Sequence, residues 1–192
     1  DDNIHGRELW TSDGTEAGTF MVQDITPGFG SETAYGIPHI QFLNESNGKI
    51  YFQAVAVGYL DMWVSDGTTS GTYPITSENN PGFPWTQSNP VSYHGLTYFD
   101  GLGNDEHGYM EFWRTDGTVA GTSKVYDNIG DGFYGMPSPI VYKDRIYLFG
   151  KGELWLTDGT PDGIQVVKKF GPQAGSRPLS VTDVNGQLFF EV

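Results

Sequence analysis

An all-β protein assembled from a unit written four times is what this sequence predicts, and three observations carry the prediction. The phrase ELWTSDGTEAGT at residues 8–19 returns as DMWVSDGTTSGT from 61, EFWRTDGTVAGT from 111 and ELWLTDGTPDGI from 153. Short runs of alternating apolar and polar residues, bounded by Gly, Asn, Asp and Pro, flank the copies as hairpin strands do. The 192 residues include 27 glycines, 11 prolines and 15% aromatics, a composition for many tight turns and large flat side chains. No helical period runs longer than about two turns.

The repeat sets the architecture. Asp13, Asp66, Asp116 and Asp158 stand at intervals of 53, 50 and 42 residues, and the interval across the joined termini is 47. Four units on a circle, cut open inside one of them, account for all four spacings. Each unit divides into four short strands. The second reads PHIQFLNES, KIYFQAV, LDMWVS and TYPITS; the third NPVSYH, LTYFDG, MEFWRT and TSKVYD; the fourth SPIVYK, RIYLFG, ELWLT and IQVVKK. The first is divided: RPLSVTDVNGQLFFEV supplies two strands at the C-terminal end, GRELWTS and GTFMVQDI two at the N-terminal end. Four-stranded units of this length arranged in a ring are propeller blades. The expectation is one domain over 1–192, a four-bladed β-propeller with four antiparallel strands per blade. Blade 1 combines 176–192 with 1–26 and is shared by the termini; blade 2 is 37–77, blade 3 is 88–127 and blade 4 is 137–170. Sharing a blade hides two sheet edges.

In this register the repeated phrase spans the third strand and the turn into the fourth. Trp10, Trp63, Trp113 and Trp155 fall on one face of equivalent strands, where they are expected to pack between neighbouring blades. Asp13, Asp66, Asp116 and Asp158 each begin an Asp-Gly turn, whose carboxylate accepts backbone N–H bonds while glycine permits positive φ. Gly18, Gly71, Gly121 and Gly163 are expected to restart the outer strand. Four carboxylates spread around the outside of a ring cannot converge on one substrate. The phrase therefore reads as structural.

The net charge of −14, from 24 acidic and 10 basic residues, repels nucleic-acid phosphates and anionic lipid unless metal ions intervene. With no cysteine, neither disulfides nor thiolate metal sites can form. No signal peptide or apolar span appears, so insertion into a membrane is not expected; the opening at Asp1 reads as a trimmed, mature start.

The phrase also carries a resemblance. LFFEV read on into DDNIHGRELWTSDGTEAGTFMVQDI is similar to the unit of bacterial ELWxxDGTxxGT repeat proteins. All four units match, and the fourth departs with Ile164 for threonine and a short GKGE linker. The resemblance implies a secreted or cell-surface chain and specifies a repeat, not an activity. The Asp-turn-Gly pattern resembles the structural Asp-box of sialidase-type propellers. Four blades resemble the hemopexin-like ring, without its sequence motifs.

Function is then expected on the face carrying the loops between blades and between second and third strands. Inter-blade loops hold Phe29 and Tyr35, then Phe83 and Trp85, then Phe133 and Tyr134. Aromatic platforms beside carboxylates suit sugar rings, whose apolar faces stack while hydroxyls find acceptors. These six are the candidate ligand-binding residues, for carbohydrate or a cell-surface ligand. His5 with Asp1 and Asp2, and His107 with Asp105 and Glu106, are candidate ligands for a divalent cation; oxygen favours calcium or magnesium and imidazole tilts the choice toward zinc or copper. His39, whose counterparts Val91, Ile140 and Leu179 are apolar, reads as a core or rim residue. No P-loop, HExxH or triad order is present, so no catalytic residue is assigned. Three functions fit: a monomeric, secreted carbohydrate-binding module; a secreted effector or toxin acting through a bound metal, hydrolytic or nuclease-like; and a structural repeat of a surface protein.

Overall fold

A computed structural model describes residues 4–25, 40–56, 59–76, 90–102, 109–131, 139–150, 152–171 and 179–191. Among the described residues the chain is all-β, with no helix, in several antiparallel sheets. Strands β1 (Leu9–Thr11) and β2 (Phe20–Gln23) form a hairpin. Three four-stranded meanders follow. The first is β3 (Ile40–Ser46), β4 (Lys49–Ala56), β5 (Tyr59–Ser65) and β6 (Tyr73–Pro74). The second is β7 (Val91–Tyr93), β8 (Leu96–Leu102), β9 (Tyr109–Thr115) and β10 (Ser123–Asp131). The third is β11 (Ile140–Tyr142), β12 (Arg145–Gly150), β13 (Glu153–Thr157) and β14 (Gln165–Lys169). A second hairpin, β15 (Leu179–Val184) and β16 (Gln187–Glu191), ends the described chain.

The register repeats with the sequence. The tryptophan strand pairs its neighbour as Phe52↔Trp63, Phe99↔Trp113 and Leu148↔Trp155. The first turn of each sheet is set by two consecutive positive-φ residues: Asn47-Gly48, His94-Gly95, Lys143-Asp144 and, in the last hairpin, Asn185-Gly186. That pair of backbone states suits the right-handed twist of a two-residue hairpin. Strand β6 is shorter than TYPITS suggests, because Pro74 has no N–H to continue a ladder. The pairing goes on irregularly: Ile75 N–H donates to the Met62 carbonyl at 2.8 Å, and Met62 N–H donates to the Thr76 hydroxyl at 3.0 Å.

The core lies between successive sheets. Leu9, Val22 and Ile25 pack with Phe52, Ala54 and Trp63. Tyr51, Met62, Val64 and Ile75 pack with Phe99 and Trp113. Tyr93, Tyr98, Phe112 and Val125 pack with Ile146 and Leu148, with Trp155 partly buried against them. Each tryptophan thus faces the preceding unit. Burying such a side chain stabilises by about 1.5–3 kcal/mol through area alone.

Trp10 departs from the expectation that all four tryptophans are buried. It is 49% exposed, whereas Trp63 and Trp113 are each 5% exposed. The reason is the absence, among the described residues, of a preceding sheet packed on its face. The two hairpins expected to share one blade likewise stand as two separate two-stranded sheets, and no ladder among the described residues joins β16 to β1.

Candidate functional site

The repeated phrase folds into a closed box of hydrogen bonds around each Asp-Gly turn. In the β5–β6 turn, Asp66 Oδ1 accepts from the Thr68 amide at 2.9 Å and from the Thr68 hydroxyl at 2.7 Å. The same hydroxyl accepts from the Gly71 amide at 3.0 Å. Thr72 Oγ1 donates to the Thr68 carbonyl at 2.7 Å and lies 2.7 Å from the Ser65 hydroxyl, which accepts from the Gly67 amide at 3.0 Å. The Asp13 and Asp116 turns repeat the arrangement with Thr15 and Thr19, and with Thr118 and Thr122. At Asp158 the bonds from Thr160 persist. Ile164 cannot supply the hydroxyl that Thr72 supplies, and Gly163 N–H donates to the Thr160 carbonyl at 3.1 Å.

The electrostatics follow from these bonds. The Thr hydroxyl, with its backbone N–H, holds the carboxyls of Asp13, Asp66, Asp116 and Asp158 below the ordinary aspartate value, since both donors favour the ionised form. The later glycines each stand two residues before the outer strand begins, and they have a second role there. A Cβ at Gly18, Gly71, Gly121 or Gly163 would overlap the carboxylate of Asp13, Asp66, Asp116 or Asp158 respectively. These glycines are clearance for the folded-back aspartate. Gly67 instead supplies a φ of 87°.

The turns also join unit to unit. Tyr73 OH donates to the Gly117 carbonyl at 2.8 Å, and Tyr98 OH reaches the Gly159 carbonyl at 3.4 Å. Tyr51 OH would lie 3.1 Å from a Cβ at Gly117. Thr69 Oγ1 donates to the Val22 carbonyl at 2.8 Å. At the other turns of these sheets, Tyr93 OH donates to the Asp144 carbonyl at 2.9 Å, and Lys143 Nζ to the Gly186 carbonyl at 2.6 Å.

One repeated position went unread in the sequence, although an acid stands two residues before every tryptophan. Glu8 Oε2 accepts from the Ile25 amide at 2.8 Å. Glu111 accepts from Trp113 Nε1 at 3.0 Å and pairs with Lys124 at 2.8 Å. Glu153 pairs with Lys169 at 2.6 Å. These acids tie the third strand to the fourth or its extension. Asp61 is buried, with the Thr76 hydroxyl 3.4 Å from Oδ1, and burial raises its carboxyl above the ordinary value.

The candidate ligand residues Phe29, Tyr35, Phe83, Trp85, Phe133 and Tyr134 lie outside the described residues, as does His39. So do Asp2, Asp105, Glu106 and His107; His5 is described and half-buried. Among the described residues, no group of three or more His, Asp or Glu side chains could hold a metal ion. By strand order, the segments between second and third strands, and between sheets, start and end opposite the Asp-Gly turns.

The fold and its turns define an all-β chain of repeated antiparallel units clamped by Asp-Gly-Thr boxes. No family model matches the chain, and no curated protein matches it.

Proposed function

We propose that the chain is a four-bladed β-propeller acting outside the cell as a binding module. Its ligand is a carbohydrate or another cell-surface group, held on the end of the ring opposite the Asp-Gly turns. One observation carries the reading. The repeated carboxylates spend Oδ1 on two donors of their own turns, so the most repeated chemistry in the chain is consumed by folding. Residues available for a ligand then belong to the opposite end, where the sequence concentrates Phe29, Tyr35, Phe83, Trp85, Phe133 and Tyr134. Stacking of such rings on sugar faces is their ordinary use at a binding surface. The resemblance to secreted and surface ELWxxDGTxxGT repeats supports the extracellular assignment.

A glycan array probed with the purified chain, with and without chelator, tests the proposal. Binding to a restricted set of glycans is expected, and Trp85→Ala with Tyr134→Ala should abolish it while leaving the melting temperature nearly unchanged, because loop aromatics add contact area to a ligand but little to a core. Binding that survives the double substitution sinks the aromatic-face reading. Loss on chelation alone transfers the function to a bound cation.

A further inference from the structure

We infer that the β15–β16 and β1–β2 hairpins join edge to edge as one sheet in the register Phe190↔Trp10, seating Tyr147 on the Gly14 turn and Phe189 on the Gly67 turn. The inference rests on the ring proposed above and adds its register and its contacts.

The interior junctions supply the template. Tyr51 pairs with Val64 in its own sheet and lies over the Gly117 turn of the next. Tyr98 pairs with Arg114 and lies over the Gly159 turn of the next. Tyr147 pairs with Leu156 at the same register position, and the Asp-Gly turn that would follow it in a ring is that of Gly14. Phe189 is the corresponding residue of β16, four after Asn185 as Tyr51 is four after Asn47, and the turn that would follow it is that of Gly67. Among the described residues, a Cβ at Gly14 or at Gly67 would meet nothing within 4 Å. Among the described residues, the two Asp-Gly turns without a clamp are the two whose clamping residues would adjoin the divided sheet.

The exposed apolar side chains agree. Phe189 is 52% exposed and Trp10 is 49% exposed, though their counterparts Tyr51 and Trp63 are buried between sheets. Both halves already sit on their correct neighbours. Phe190 packs edge-on against Phe149 and Phe170, with ring centroids 5.0 and 6.0 Å away, and Lys143 reaches the Gly186 carbonyl. Thr69 holds β2 through the Val22 carbonyl. One placement of β16 beside β1 fills both empty turns and covers Trp10 and Phe189 as a continuation of these interfaces. The occupant of each half-sheet is therefore the chain's own other half. Matching Phe190 to Trp10 repeats Phe52↔Trp63 and Phe99↔Trp113 and sets Phe189 opposite Thr11.

The absence of cysteine makes crosslinking a clean test. Thr11→Cys with Phe189→Cys should oxidise to an intramolecular disulfide in a monomer. Thr11→Cys with Leu188→Cys should not, because a one-residue slip points the second side chain to the other face. Separately, Phe189→Lys should lower Tm by at least about 4 °C, where an exposed phenylalanine would change it little. Disulfide-linked dimers, no crosslink in a folded variant, or a Phe189→Lys protein with the parent Tm each overturns the register. None of these readouts involves glycan, so a failure of the closure is distinguishable from a failure of glycan binding.

Discussion

Two glycines in one turn are required for different reasons, and substitution separates them. Gly67 has a φ of 87°, and among the described residues nothing lies within 4 Å of its Cβ position. Gly67→Ala should therefore cost about 1–2 kcal/mol of backbone strain whatever stands at position 66. Gly71 has no such φ but would drive its Cβ into the Asp66 carboxylate. Gly71→Ala should expel that side chain and dissolve the bonds from Thr68. In an Asp66→Ala background the obstacle is gone, so the added cost of Gly71→Ala should nearly vanish while that of Gly67→Ala persists. Urea unfolding of the double-mutant cycles measures both couplings. Equal, additive costs for the two glycines would contradict the clearance role of Gly71.

Strand pairs and their faces decide the worth of each tryptophan. Trp63 stacks on Phe52 at 6.2 Å between two sheets, and Trp113 fills the next junction with its Nε1 on Glu111. Alanine at either position should cost about 3–5 kcal/mol through the cavity it leaves, measured by chemical unfolding; costs below about 1 kcal/mol would mean that the junctions do not hold the sheets together. Trp10 should cost as much only if joining β16 seats β1 on the preceding sheet. The hairpins and Asp-Gly turns were legible in the sequence because their backbone states are local: Asn47-Gly48 and Asp66-Gly67 announce positive φ by residue type. The role of Gly71 was not, since steric clearance appears only when the carboxylate folds back. Nor was the pairing of Glu153 with Lys169 or Glu111 with Lys124, whose partners sit on another strand. The exposure of Trp10 is further still from local sequence, because burial there depends on a neighbouring sheet. The aromatic candidates for ligand binding were legible as residue types in connecting segments and lie outside the described residues.

Across the whole molecule, acid sets two groups of carboxyls against each other. Asp13, Asp66, Asp116 and Asp158 are held below the ordinary value of 3.8 by donors of the folded turn. Their contribution is fully present above the unfolded aspartate value and is lost as pH falls through the lower folded one. Asp61 has the opposite sign: burial raises its carboxyl, so its ionised form costs stability at neutral pH, and protonation relieves that cost. The net charge of −14 adds self-repulsion that also relaxes as other carboxylates take up protons. Melting temperature should therefore rise as pH is lowered from 7 to about 5, then collapse once pH passes below the ordinary aspartate value. Asp61→Asn should raise the pH 7 melting temperature and remove part of the rise. Thr68→Val, which strips the hydroxyl donor from Asp66, should lower stability at neutral pH and soften the acid collapse. Thermal melts followed by circular dichroism across this range check both signs. A melting temperature that falls steadily from pH 7, in the parent and in Asp61→Asn alike, would show that neither the buried aspartate nor the surface charge opposes folding at neutral pH.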